Sequence, residues 1–159
     1  MTDRHSASVR SRNMAAVKSK NTKPEMLIRR GLHGKGFCYG LHGKKLPGKP
    51  DLVLPKYKAV IFVNGCFWHG HDCPRFTWPK TREDFWKEKI SGNRERDSKN
   101  LEALKALGWR RGVVWECALK DKFKPDISLV IKGLSEWLKS KKPTFEIGYR
   151  SAESLCVIS

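Results

Sequence analysis

Between Cys66 and Cys73 the chain packs two cysteines and two histidines into eight residues, Cys-Phe-Trp-His-Gly-His-Asp-Cys. Nothing else in the sequence constrains the fold so strongly. A loop this irregular gains little from regular hydrogen bonding, whereas a tetrahedral Zn²⁺ bound by thiolate sulfur and imidazole nitrogen can hold it together. Zinc sites commonly take two ligands close in sequence and the rest from elsewhere. The ligand set read from the spacing is Cys66, His71 and Cys73 with Cys117, which ends an apolar segment able to lie beside the loop as a strand. Four protein ligands leave no open position for water, so such a zinc is structural and not catalytic. The alternative is a reduced chain without metal. A zinc deaminase is disfavoured, because neither H-x-E nor P-C-x-x-C occurs. Cys38 and Cys156 stand apart and read as ordinary thiols.

Five cysteines form an odd count, and the N-terminal segment is basic and polar without an apolar h-region. Both features argue against a disulfide framework and an export signal and point to a cytoplasmic protein. The longest apolar run, Ala59 to Val63, is far short of the roughly 20 residues that span a bilayer, so a membrane protein is excluded. The 159 residues suit one domain. Thirty-three Lys and Arg against 16 Asp and Glu leave a net charge of +17, which calls for a polyanionic partner, nucleic acid above all. Six tryptophans add flat rings able to stack on bases or wedge between them, which pure phosphate binding does not require.

Residues 1–20 read as a basic arm that orders on a partner, residues 21–142 as the main domain, and residues 143–159 as a tail packing on or extending it. Thr22 caps a helix through Met26, Leu27, Ile28 and Leu32, with Glu25 at capping-box spacing and Gly34 and Gly36 at its end. Phe37 to Leu41 predicts a short strand. Asp51 to Pro55 and Lys58 to Val63 predict a hairpin, and Trp109 to Cys117 another apolar strand. Thr81 opens a long helix to about Leu107, interrupted at Ser91-Gly92, and Ile127 to Leu138 has helical period. The order predicts an α/β domain with a central mixed sheet flanked by helices.

Lys49-Pro50-Asp51 opens the hairpin. A carboxylate beside a second oxygen ligand on an adjacent strand suits a hard cation such as Mg²⁺, although Pro-Asp is also common at turns with no metal. A set of motifs gives the pair its context: Asn13-Met14, Pro-Gly-Lys-Pro-Asp51, Asn64-Gly-Cys-Phe-Trp-His69-Gly-His-Asp-Cys73, Phe85-Trp86-x-x-Lys89-Ile90, Asn93-x-x-x-Asp97, Leu107-Gly-Trp-Arg and Val114-Trp-Glu-Cys117. In this order and spacing, from about Ser11 to Leu119, the chain resembles the very-short-patch-repair (Vsr) mismatch endonucleases of bacteria.

The resemblance implies a restriction-endonuclease-like fold carrying a zinc-bound loop. It implies that Asp51 and the backbone carbonyl of Val63 hold a catalytic Mg²⁺, and that His69 is the general base or proton relay for the attacking water. Imidazole suits that task because its ordinary titration falls near neutral pH. Glu25 and Asp97 are implied as carboxylates that orient metal-bound waters and His69. Read alone, Glu25 also fits the capping box, and Asp97 a solvated helix charge. Phe67, Trp68 and Trp86 are implied as a wedge driven into the base stack beside a mismatch, where unstacking costs least. Trp86 alternatively packs in the core with Phe85 and Ile90. Met14 would enter from the minor groove, while Lys89 and Asn93 would approach the mispaired bases. The sequence departs from the family at Asn64, where members carry a histidine, and around Gly70 and Asp72, where they carry more. An amide cannot take up a proton near neutral pH, which shifts acid–base work onto His69.

The activity implied is Mg²⁺-dependent nicking of one strand of double-stranded DNA, 5′ to the thymine of a T:G mispair left by deaminated 5-methylcytosine. The enzyme would act as a monomer, in cooperation with other mismatch-repair proteins. Two alternatives stay open: a broader mismatch or structure-specific nicking endonuclease of the same fold, and a non-enzymatic zinc-stabilised DNA-binding module.

Overall fold

The computed structural model describes residues 21–73, 76–120 and 126–148; the basic arm with Met14, and Cys156, lie outside them. Helix α1 (Lys23–Gly34) starts where the sequence places it. The Thr22 hydroxyl accepts from the Glu25 amide at 3.3 Å, and the Glu25 carboxylate reaches back to the Asn21 amide at 3.2 Å. Two orphan N–H groups are thereby satisfied, and Gly36 at φ +86° turns the chain away beyond the helix end.

Three antiparallel strands follow: β1 (Gly40–Leu41), β2 (Leu52–Leu54) and β3 (Ala59–Asn64). One 3₁₀ turn, Pro55–Tyr57, joins the last two, closed by Lys58 in the left-handed region. Helix α2 (Glu83–Ala106) carries the chain to β4 (Arg110–Trp115), which lies parallel to β3. After the short α3 (Cys117–Lys120), helix α4 (Ile127–Lys139) returns the chain to β5 (Thr144–Ile147), parallel to β4. The strand order is β1-β2-β3-β4-β5, a five-stranded mixed sheet flanked by helices, as expected. No helix among the described residues is long and apolar enough to cross a membrane.

Side-chain alternation divides the sheet into two faces. Leu52, Leu54, Ala59, Ile61 and Val114 bury one face against Ile28 and Leu32 of α1 and Val130, Leu134, Trp137 and Leu138 of α4. Gly112 lets α4 come close, since a Cβ there would lie 2.9 Å from the Trp137 ring. Arg110 fastens the same corner. Its guanidinium donates to the carbonyls of Trp137 and Leu138, satisfying the carbonyl end of α4 while lying over the Trp137 ring. The other face presents Phe62 and Val113 toward Asp97, Asn100 and Leu101 of α2.

Four readings of local structure need correction. The strand predicted over Phe37–Leu41 shrinks to Gly40–Leu41, because Phe37 instead turns into the core as the chain leaves α1. Helix α2 runs unbroken through Ser91-Gly92. A single helical glycine costs about 1 kcal/mol, too little to break a helix anchored by buried Ile90 and Leu104. That helix is capped by Arg82 at φ +54° and not by Thr81. Finally, the strand predicted over Trp109–Cys117 ends at Trp115, Cys117 opening α3, while Thr144–Ile147, within the segment read as packing on or extending the domain, forms the fifth strand.

Candidate active site and metal centre

The site follows from one feature of the topology. Because β3 and β4 are parallel with Asn64 opposite Trp115, their following segments leave the same edge of the sheet. Cys66 and Cys117, each two residues past that pair, are thus brought side by side. The loop then curls back, with the His71 amide donating to the Cys66 carbonyl at 2.9 Å. Ligand atoms of Cys66, His71, Cys73 and Cys117 all lie within 4.8 Å of one another. The three cysteines are buried and unbridged, and His71 is half-buried, its ring stacked at 4.0 Å on Trp115.

Such a group fits a soft divalent cation. Without one, the neighbouring Cys117 sulfur, helped by burial, pushes the Cys66 thiol up to about 12. A cation among the sulfurs removes that conflict and binds them as thiolates. Gly70 lets the loop pack on α2: it sits at φ +59°, and a Cβ would lie 2.7 Å from Ile90 Cγ2. A larger side chain at this position would not fit the same path.

Beside this lobe lies a cavity of about 600 Å³ lined by His42, Lys49, Asp51, Val63, His69 and Asp97 among others. Asp51 precedes β2 and faces the end of β3, where its Oδ2 accepts the Val63 amide at 2.7 Å. Burial raises the Asp51 carboxyl to about 7; the Val63 hydrogen bond opposes the rise, and the neighbouring carboxylate of Glu25 adds to it. An acidic pair pressed together in a cleft is where a hard cation gains most. Glu25, only 1% exposed, is held by Arg29 Nη1 at 3.2 Å and by His42 Nε2 at 3.1 Å. Its place in the capping arrangement is compatible with these contacts, since Oε1 accepts the Asn21 amide while Oε2 meets Arg29 and His42.

His69 leaves the loop between Cys66 and His71, and its Nδ1 meets Asp97 Oδ2 at 2.5 Å. A carboxylate only accepts, so Nδ1 carries the hydrogen and Nε2 is left free to accept a proton. Asp97 is thus engaged, and not merely a solvated charge on α2. Asn64 lines the cavity while its carbonyl accepts the Glu116 amide at 2.9 Å.

The rings form one connected series. Phe67 lies edge-on to Trp68 and Trp86, both at 5.3 Å, and 6.0 Å from Phe76; Phe76 meets Trp78 at 4.9 Å, and Trp86 meets Phe85 at 5.1 Å. Phe67, Trp68 and Trp86 are half-buried against one another, whereas Trp78 and Phe85 are exposed. Lys89 is exposed on α2. Asn93 is committed within the protein, its amide donating to the Trp68 carbonyl at 2.8 Å and its oxygen accepting from Arg96 at 2.6 Å.

Residues 2–75 match the model of a family described as DNA mismatch endonuclease Vsr. The type II nicking enzyme V.XorIIP of Xanthomonas oryzae pv. oryzae is 51% identical over 121 residues, 76% of this chain and 89% of the relative. The DNA mismatch endonuclease Vsr of Escherichia coli K12 is 42% identical over 138 residues, 87% of this chain and 88% of the relative. The chain belongs to the Vsr family of DNA mismatch endonucleases.

Several residues of this Vsr-family site have no signal in the sequence. His42 lies in a loop of Gly, Lys and Pro, and only the fold brings it against Glu25. Trp115 stands in the Val114-Trp-Glu-Cys117 motif without an assigned role, yet it stacks on His71 and lies 6.1 Å from the His69 ring. Phe76 and Trp78 follow the cysteine loop in the sequence, and their contacts with the Phe67 cluster depend on how that loop turns.

Proposed function

We propose that this Vsr-family endonuclease nicks one strand of duplex DNA 5′ to the thymine of a T:G mispair, with Mg²⁺ at Asp51 and Zn²⁺ at Cys66, His71, Cys73 and Cys117. The observation that carries the reading is the cavity in which a half-buried carboxyl, Asp51, stands near an imidazole whose Nδ1 is tied to Asp97. We read the mixed sheet with this site at its edge as restriction-endonuclease-like. Asp51 and the Val63 carbonyl would hold Mg²⁺, which when bound supplies charge to stabilise the pentavalent transition state and the leaving oxygen. His69 accepts the proton of the attacking water at Nε2. Asp97 fixes the ring's orientation and stabilises the imidazolium that results, the role a carboxylate plays behind any catalytic histidine. Asn64 supplies no proton acceptor, which leaves this work to His69.

The ring cluster supports the mismatch reading. Phe67, Trp68 and Trp86 brace one another edge to face, and a braced wedge loses little conformational entropy on insertion. Asn93 supports the wedge from behind through the Trp68 carbonyl, while Lys89 and, from the arm, Met14 would approach the DNA directly. One chain acting as a monomer suits a lesion without two-fold symmetry, and hand-over to other mismatch-repair proteins would follow the nick.

Asp51→Ala tests the reading against a purely binding role. The variant is expected to bind a T:G duplex within about threefold of the parent while losing at least about 10³ in nicking rate. Retained nicking would defeat the proposal, and the absence of Mg²⁺-dependent nicking by the parent protein would favour a non-enzymatic module.

A further inference from the structure

We infer that His42 is a positioning residue of the nicking reaction, holding the buried Glu25 carboxylate by a hydrogen bond so that it faces the Asp51 site. The inference rests on Asp51 as the Mg²⁺ ligand, and it adds a residue to which neither the motifs nor the family pattern assigns a role.

Three observations converge on His42. Its Nε2 lies 3.1 Å from Glu25 Oε2, and because the carboxylate accepts, the imidazole is the donor. Its backbone amide donates to the Asp51 main-chain carbonyl at 2.9 Å, so one residue joins the Glu25 side chain to the backbone that carries Asp51. And it lines the cavity that Asp51, Val63, His69 and Asp97 also line. Its backbone takes φ +49°, in the left-handed region, where the chain turns just past β1.

The other donors to Glu25 cannot substitute. Asn21 and Arg29 belong to α1 and its lead-in, and they tie Glu25 to its own helix. His42 follows β1 and connects Glu25 to the strands that carry Asp51. Without it, the hydrogen-bond donors left to the Glu25 carboxylate from Asn21 and Arg29 all come from its own helix and lead-in, and nothing on the strand side donates to fix its orientation toward Asp51 among the described residues. A partner that orients a carboxylate beside a metal ligand typically contributes about 10- to 100-fold in metal affinity or activity.

The test compares His42→Leu, which removes the donor, with His42→Gln, whose amide can donate without carrying charge. Single-turnover nicking of a T:G duplex is followed across a Mg²⁺ titration, and Mg²⁺ binding to the DNA-free protein is read from the Mg²⁺-induced shift in its thermal melt, which His42→Leu is expected to diminish and His42→Gln to retain. His42→Leu is expected to lower the maximal rate about 10- to 100-fold and to raise the Mg²⁺ concentration at half-maximal rate, with the KM for DNA within about twofold. His42→Gln is expected to restore the rate to within about threefold of the parent. A rate for His42→Leu within threefold of the parent overturns the inference, as does a His42→Gln variant as slow as His42→Leu. Where His42→Leu does not fold, His42→Ala is read by the same limits. Asp51→Ala runs alongside: if it still nicks, the Mg²⁺ reading falls as well; if it is dead while His42→Leu is fully active, only the role of His42 falls.

Discussion

Asp51 is the residue on which burial and charge act most directly. Unfolded, its carboxyl titrates at the ordinary 3.8; in the fold it is raised to about 7 by desolvation and by Glu25. Between those values the folded state holds a proton that the unfolded state has lost. Asp51's contribution to stability without added Mg²⁺ therefore falls as pH rises from about 4 to 7 and levels off above. Asp51→Asn removes the titration, so the variant is expected to melt higher than the parent at pH 8, by roughly 1–3 kcal/mol, and to match it near pH 4. Added Mg²⁺ should stabilise the parent and leave the variant unmoved, which thermal melts at the two pH values check. His69 carries a second expectation at this scale. His69→Asn should abolish nicking, whereas Asp97→Asn should slow it by about 10- to 100-fold with little change in KM, because it only misorients the ring. Equal loss in KM and rate would place Asp97 in binding instead.

At the level of elements, what decides the site is the parallel pairing of β3 with β4. It converts the distant Cys117 into a neighbour of the Cys66–Cys73 loop, a relation the sequence suggested because both follow apolar strands. Cys117→Ser is expected to leave the sheet largely folded but to lose zinc by elemental analysis, and nicking with it. Full zinc in that variant would contradict the four-ligand set. Helix α4 gives another test. Gly112→Ala would push against a Trp137 ring whose indole nitrogen is fixed to the Lys142 carbonyl, and it should cost about 1–3 kcal/mol in a denaturant melt. Chemistry packed into short motifs was legible in the sequence: the metal-binding group, the α1 cap, the hairpin before Asn64. Features that depend on distant packing were not. Continuity of α2 through Gly92 reflects anchoring at Ile90 and Leu104, the position of β5 reflects a free edge on β4, and the use of His42 reflects a loop path with positive φ.

The whole molecule combines a net charge of +17 with a site at one edge of its sheet. Phosphate contacts release counterions, so affinity for duplex DNA is expected to fall by about 10³ or more between 50 and 200 mM salt, matched and mismatched alike. On the proposed reading the discrimination comes from the braced rings and the cost of unstacking, which salt changes little. Trp86→Ala should accordingly reduce the preference for mismatched over matched DNA more than it reduces total binding. The most direct measurement is strand nicking of two duplexes of one sequence, one carrying T:G and the other C:G, each with and without Mg²⁺. A single nick 5′ to the thymine, only in the mispaired duplex and only with Mg²⁺, is the result predicted; equal cutting of both duplexes, or cutting that ignores Mg²⁺, would contradict it.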